Sequence, residues 1–316
     1  MSDNKYFVGA DIGGTSVKIG LFCNNNEEWT DKWEIPSERD NNGENILPDI
    51  SVSLKEACIR NGIAYNDICG IGIGVPGPVF NDGTVNKCAN LGWGVINVKK
   101  IMKELTGIEN IVVANDANVA ALGEQWRGGG KEFSNLVMVT LGTGVGGGII
   151  IDGRIYSGSL GAAGEIGHIK VNPDETAVCG CGCRGCLEQY SSATGIVRLY
   201  KMIMQDNTSN DITAKDIFDM AKEGNEPALT VIDTAMKYLG MALANVAAAI
   251  DPQAFVIGGG VSKAGSIITD MVSRYYNMYS MGPLKNRKFR FAGLGNDAGI
   301  YGCVRLAMDN YKTGEQ

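Results

Sequence analysis

Hydrophobic residues fall into two rhythms along the chain. Short apolar runs bounded by glycine, proline or Asn-Asp predict strands at Lys5–Ala10, 16–22, Asp67–Val75, Ile111–Ala114, Asn135–Leu141, 148–151, Ala254–Ile257 and Lys288–Ala292. Between them the spacing becomes helical. In 46–61, Ile46, Ile50, Leu54 and Ala57/Cys58 recur on one face. Asn97–Leu105 reads as a helix with Gly107 just past its end. Further helices are predicted over Ala117–Trp126, 191–204, 213–223, 226–250, Ser262 to about Tyr279, and Ala298–Tyr311. The pattern is that of an α/β protein.

One pattern occurs twice. Val8–Phe22 and Val137–Ile151 are each strand, glycine turn with threonine, strand, about half a chain apart. At 316 residues a single core is near its size limit. The repeat therefore predicts two hairpin-led lobes with a cleft between them. No Pro/Ser-rich linker separates them, and the boundary falls near 115–135.

Composition narrows the partners. A net charge of −7 argues against a nucleic-acid or anionic-membrane surface. It does not argue against phosphate ligands, which backbone N–H groups and a metal can hold. No run of about 20 apolar residues and no N-terminal signal core is present, so neither secretion nor a membrane span is expected. Cys23, Cys58, Cys69, Cys88 and Cys303 are scattered singly, as expected of free, largely buried thiols in a reducing cytoplasm.

The 44 glycines cluster in a few loops. Gly13-Gly14-Thr15 and Gly142-Thr143-Gly144 let backbone N–H groups approach an anion, with a threonine hydroxyl beside them. Asp11 at the base of the first turn would tolerate phosphates only with a cation between, which assigns it to Mg²⁺ through water. Residues 142–147 also fit G-x-G-x-x-G, but a strand follows where a dinucleotide site needs a helix. Gly258-Gly259-Gly260 lies between a strand and a helix, where backbone can pass close to a flat ligand such as adenosine.

The richest stretch is 161–188. It holds His168, the chain's one histidine, and Cys179, Cys181, Cys183 and Cys186. An imidazole with three thiolates is a typical structural zinc set, and Cys183 leaves the choice of third thiolate open. Glu165 and Glu188 bracket the cluster. Paired carboxylates also serve glycoside hydrolases, but phosphate loops have no use there. Asp116 sits where a strand ends and a helix begins, a position equally suited to a helix N-cap.

These motifs together carry a resemblance. DIGGTSVK at 11–18, GVPGPV at 74–79, ANDANVAALGE at 114–124, LGTGVGGGI at 141–149, GAAGEIGH at 161–168, the cysteine run ending in CLE at 179–188, and IGGGVS at 257–262 span nearly the whole chain. The chain resembles the ROK family of bacterial sugar kinases and repressors, within the actin-like ATPase superfamily. The resemblance implies a two-lobed actin-like ATPase (ribonuclease H-like) fold: a smaller lobe over 1–116 completed by helix 299–316, and a larger lobe over 117–298 carrying a zinc loop at 161–188. It implies ATP held by Asp11, Gly13, Gly14, Thr15, Lys18, Gly142, Thr143, Gly144, Gly258, Gly259 and Gly260, with Mg²⁺. Asp116 is then the catalytic base. Asn90, Asn115, Asp116, Glu165, His168 and Glu188 hold the sugar, with Gly77 allowing its loop to approach. His168, Cys179, Cys181 and Cys186 bind a structural Zn²⁺.

The implied activity is ATP-dependent phosphorylation of a hexose 6-hydroxyl, most similar to the family's glucokinases, in a homodimer. Fructokinase, N-acetylmannosamine kinase and other hexose kinases are the alternatives within the enzymes, and polyphosphate is an alternative phosphoryl donor. A repressor would carry a DNA-binding domain before the first strand, and a filament-forming relative would lack the sugar loop.

Overall fold

A computed structural model of the chain describes residues 5–205 and 211–314. It divides into two compact units: Met1–Lys131 with Gly153–Ala163 and Asn296–Gln316, and Glu132–Asp152 with Gly164–Gly295.

The first unit is built on β1 (Tyr6–Ile12), β2 (Ser16–Cys23), β3 (Glu28–Pro36), β4 (Ile68–Val75) and β7 (Ile111–Asn115), in the order β3-β2-β1-β4-β7. β1 and β2 form the expected hairpin, with Asp11 opposite Lys18. β4 and β7 continue the sheet in parallel. Their near-continuous apolar runs suit a sheet covered on both faces. After the four-residue turn α1 (Asp40–Gly43), α2 (Ile46–Asn61) and α3 (Val98–Thr106) join the main apolar cluster with Ile46, Ile50, Leu54, Val98 and Met102. A small antiparallel pair, β5 (Thr84–Cys88) with β6 (Trp93–Asn97), completes that side.

Helices α4 (Asp116–Arg127) and α10 (Ala298–Gly314) pack on one another, and α10 also packs on the sheet at β1 and β4. Glycines permit the approach. A Cβ on Gly302 would lie 1.7 Å from the Val119 carbonyl, and one on Gly123 would lie 2.1 Å from that of Ala298. This close helix pair is why residues 117–131, expected in the larger lobe, group with the first unit.

In the second unit β8 (Leu136–Leu141) and β9 (Val145–Ile151) form the second hairpin; the two-residue strand β10 (Arg154–Ile155), next in the chain, falls in the first unit. β11 (Ala254–Gly258) runs parallel to β8, and β12 (Lys288–Phe291) parallel to β11. The order β9-β8-β11-β12 repeats β2-β1-β4-β7 in sequence and sense, so the weak internal repeat is a structural one. The unit's helices are the single turn α5 (Glu188–Ser191), α6 (Ala193–Met204), α7 (Ala214–Lys222), α8 (Glu226–Ile250) and α9 (Ser266–Tyr279).

Two boundaries differ from the spacing. The second hairpin's return strand begins at Val145, ahead of Gly148, because Leu141 pairs with Val145 across a three-residue turn. The helix expected from Ser262 begins at Ser266. Residues 260–264 form a tighter 3₁₀ turn, broken by Gly265 at φ +88°. Among the described residues no helix is long and apolar enough to cross a membrane.

Candidate functional site

In the first unit, four of the expected segments converge. The Gly13–Thr15 turn is closed by Gly13 N–H to Ser16 O at 2.9 Å and pinned by Ser37, whose hydroxyl donates to Gly13 O at 2.7 Å. A Cβ on Gly14 would stand 3.9 Å from the Asn90 carbonyl, so the Ala89–Leu91 turn, exposed at Ala89 and Asn90 and anchored by buried Leu91, runs beside it. Asp11 is packed against the start of α10, where a Cβ on Gly299 would fall 2.1 Å from its Oδ2. Burial first, and then the charge of Asp116, push its carboxyl up to about 6, against the pull of Lys18. Two carboxylates thus share one neighbourhood. Cys88 belongs to it too, its thiol raised by burial and further by Asp116.

The cap of α4 is Asn115. Its backbone is extended (φ −63°, ψ 145°), and its Oδ1 accepts from the N–H groups of Ala117 at 2.9 Å and Asn118 at 3.2 Å. Its Nδ2 donates to Gly77 O at 3.1 Å, in a turn where Gly77 adopts φ +93°. Asp116 is therefore not the cap. It occupies the first helical position, half-buried, and its Oδ1 accepts from the Ala117 N–H at 2.8 Å.

In the second unit the Gly142–Gly144 turn is anchored by α6. Ala193 N–H donates to Gly142 O at 2.8 Å, and the Thr194 hydroxyl donates to Thr143 O at 2.7 Å. Beside this turn lies a cavity of about 530 Å³. Gly142, Thr143 and Gly260 line it with Lys215, Phe218 and Lys222 of α7. Gly259 has φ +84°, and a Cβ there would lie 2.4 Å from the Leu141 carbonyl, so only glycine lets this crossing form. A Cβ on Gly258 would lie 3.1 Å from the Met138 methyl. The spacing predicts α7 but gives no hint that it lines the cavity. The available signal is Lys215 and Lys222 two turns apart, both paired to Asp219 at 2.6 and 3.6 Å.

The 164–188 loop folds around its cysteines. Ligand atoms of His168, Cys179, Cys181 and Cys186 all lie within 4.8 Å of one another. Cys181 and Cys186 sulfurs are 3.6 Å apart, and Cys179 Sγ is 3.9 Å from His168 Nδ1. Tetrahedral bonds of about 2.3 Å to sulfur require sulfurs about 3.8 Å apart, so the set fits a zinc-sized ion. Cys183 is exposed and outside the group. The loop closes through Val171 N–H to Gly185 O at 2.8 Å and Cys179 N–H to Cys183 O at 2.7 Å. Glu175 braces its far side, accepting from Tyr190 at 2.6 Å and Arg198 at 2.7 Å. Burial works against its charge, yet these bonds hold its carboxyl down to about 2.

The expected sugar ligands of this unit gather at the same loop. His168 turns Nδ1 to the thiols, while Nε2 lies 4.0 Å from Glu165 Oε2. Glu188 bridges two features. Its Oε2 accepts from Val145 N–H at 3.0 Å, beside the glycine turn, and its Oε1 is 3.9 Å from Cys179 Sγ.

A family model described as ROK family matches residues 7–310. The chain belongs to the ROK family. Its structure is the actin-like ATPase α/β fold of ROK sugar kinases. A glucokinase from Halalkalibacterium halodurans is 41% identical over 314 residues, 96% of this chain and 94% of the relative. A ROK hexokinase from Thermus thermophilus superposes with a TM-score of 0.84 at 29% identity, covering 98% of this chain and 100% of the other. A ROK family glucokinase from Streptomyces griseus, in complex with glucose and AMPPNP, gives a TM-score of 0.73 at 31% identity, covering 96% and 99%. In this ROK chain the glycine turns, the Asn115-Asp116 pair and the cysteine loop all stand at the ends of strands or the starts of helices.

Proposed function

We propose that this protein is an ATP-dependent glucose kinase, transferring the γ-phosphoryl group of ATP to the 6-hydroxyl of D-glucose. The observation that carries the proposal is the 41% identity to a glucokinase across 96% of the chain. The likeness to a structure holding glucose and AMPPNP supports it.

Phosphoryl transfer passes through a loose transition state, so the protein's work is positioning and charge stabilisation. The turns at Gly13-Gly14-Thr15 and Gly142-Thr143-Gly144 offer backbone N–H groups to the phosphates, with Lys18 as a nearby cation. The cavity beside Gly142, Phe218 and Gly260 takes the nucleoside, with Gly258 and Gly259 bringing the backbone close. Asp11 would hold Mg²⁺ through water. Held there, the ion would supply charge that offsets the phosphates and would relieve the cost of the buried Asp11 carboxylate beside Asp116. Asp116 accepts the proton of the sugar O6 as O6 bonds to the γ-phosphorus and the bond to ADP breaks. Asn90, Asn115, Glu165, His168 and Glu188 orient the sugar. Asn115 does so with its remaining Nδ2 hydrogen, since its Oδ1 caps α4.

The four-residue His/Cys set would hold Zn²⁺ with every coordination position filled by protein, which makes it structural. Bound through Nδ1, His168 keeps Nε2 for the sugar, in a fixed tautomer. The first unit, completed by α10, corresponds to the lobe carrying the base, and the second to the lobe carrying the metal loop. Family resemblance supports a cytoplasmic homodimer. The test is Asp116→Asn. Glucose binding by calorimetry is retained, and turnover falls by at least about 10²-fold. Turnover near that of the unmodified protein would reject Asp116 as the base.

A further inference from the structure

Lys170 stands just outside the His/Cys cluster. The loop's backbone forms an antiparallel bridge in which Lys170 lies directly opposite Cys186, and Leu187 N–H donates to Ile169 O at 2.9 Å. Residues directly opposite in such a pair project to the same side. The exposed Lys170 stem therefore runs alongside the fully buried Cys186, and its Nζ ends 2.9 Å from Cys186 Sγ. The contact is set by backbone register, not by a surface side chain finding a chance partner.

Charge gives the contact a purpose. A divalent ion with three thiolates and a neutral imidazole leaves one net negative charge, and two of the three sulfur ligands belong to buried residues. An ammonium in hydrogen-bond contact cancels that charge at its least solvated sulfur. Groups that hydrogen-bond metal ligands tune affinity in this way.

We infer that Lys170 is a positioning residue of the metal centre, neutralising the thiolate cluster through Cys186 and slowing loss of the ion. The inference rests on the zinc proposal above. Cys186 leads through Leu187 into Glu188, so the same contact steadies a residue proposed to face the sugar.

The test uses the full chain loaded with zinc and a chromophoric chelator that reports its release. Lys170→Met releases zinc about 10-fold faster or more, within the range for lost second-sphere partners. Lys170→Arg keeps the charge and releases at close to the unmodified rate. Raising ionic strength speeds release from the unmodified protein and leaves Lys170→Met little changed, a response that simple packing would not give. Release from Lys170→Met at the unmodified rate, from a protein carrying stoichiometric zinc, overturns the inference alone. An unmodified protein that takes up no zinc overturns the zinc proposal itself and the inference with it.

Discussion

Replacing Gly144 by alanine tests whether Glu188 is held in place by the glycine turn. The new Cβ would lie 2.2 Å from Glu188 Oε2 and 3.2 Å from its Cδ. Gly144 is not at positive φ, so alanine itself is unstrained there. The clash falls on the end of a flexible side chain, so the fold persists and the carboxylate moves. Moving it breaks the 3.0 Å bond from Val145 N–H. A hydrogen bond to a charged acceptor is worth about 1.5–3 kcal/mol. Reduced freedom of the unfolded chain returns about 0.4–1 kcal/mol. The net loss of about 1–2 kcal/mol lowers the melting temperature by several degrees, at about 2–4 °C per kcal/mol. If Glu188 also binds a glucose hydroxyl, losing that charged hydrogen bond, of the same size at about 1.5–3 kcal/mol, in the transition state lowers kcat/KM for glucose by about 10- to 150-fold. The assays are thermal melting and steady-state kinetics in varied glucose. Gly142→Ala is the melting control, since its Cβ would meet nothing within 4 Å. A Gly144→Ala protein with unchanged melting and unchanged kcat/KM would refute the reasoning.

Two further outcomes follow from the shifted carboxylates. Asp11 titrates near 6 in the folded state, above its ordinary value, so the unfolded chain ionises it first as pH rises. Its charge is a cost fully present above about pH 6 and absent near pH 4, at most about 3 kcal/mol. Asp11→Asn therefore raises the ligand-free melting temperature at pH 8 but not at pH 4, while abolishing phosphoryl transfer. An equal gain at both pH values would contradict this. Glu175 is shifted the other way, to about 2. Its stabilisation is present above the ordinary glutamate range and is lost as pH falls from about 4.5 towards 2. Glu175→Gln lowers the melting temperature at pH 7, and the deficit shrinks towards pH 2.5. A pH-independent deficit would assign the effect to packing alone.

Much of the molecule is legible in the chain because its working parts are local. Each glycine turn, with its hairpin, is written within about fifteen consecutive residues, and the metal set within nineteen. What escapes the sequence depends on distant partners. β3 alternates half-buried and exposed positions, but its inner face is interrupted by Asp31, which is satisfied by Arg60 and Asn61 of α2. The α4–α10 pairing that sets the unit boundary rests on Gly123 meeting Ala298 far along the chain. Asn115 and Asp116 are both good capping types, and only the extended backbone at Asn115 decides between them. Cys183 has the chemistry of its neighbours, and only the folded loop leaves it outside the cluster.

The central claim is tested most directly by incubating the purified protein with D-glucose, ATP and Mg²⁺, and coupling product to glucose-6-phosphate dehydrogenase. That enzyme responds to the 6-phosphate, so NADPH formation reads both the acceptor and the position of transfer. NADPH appearing in step with ADP, and vanishing when glucose or ATP is omitted, is the predicted result. Glucose-dependent formation of ADP from ATP without NADPH, or no turnover of glucose while another hexose is phosphorylated, would contradict it.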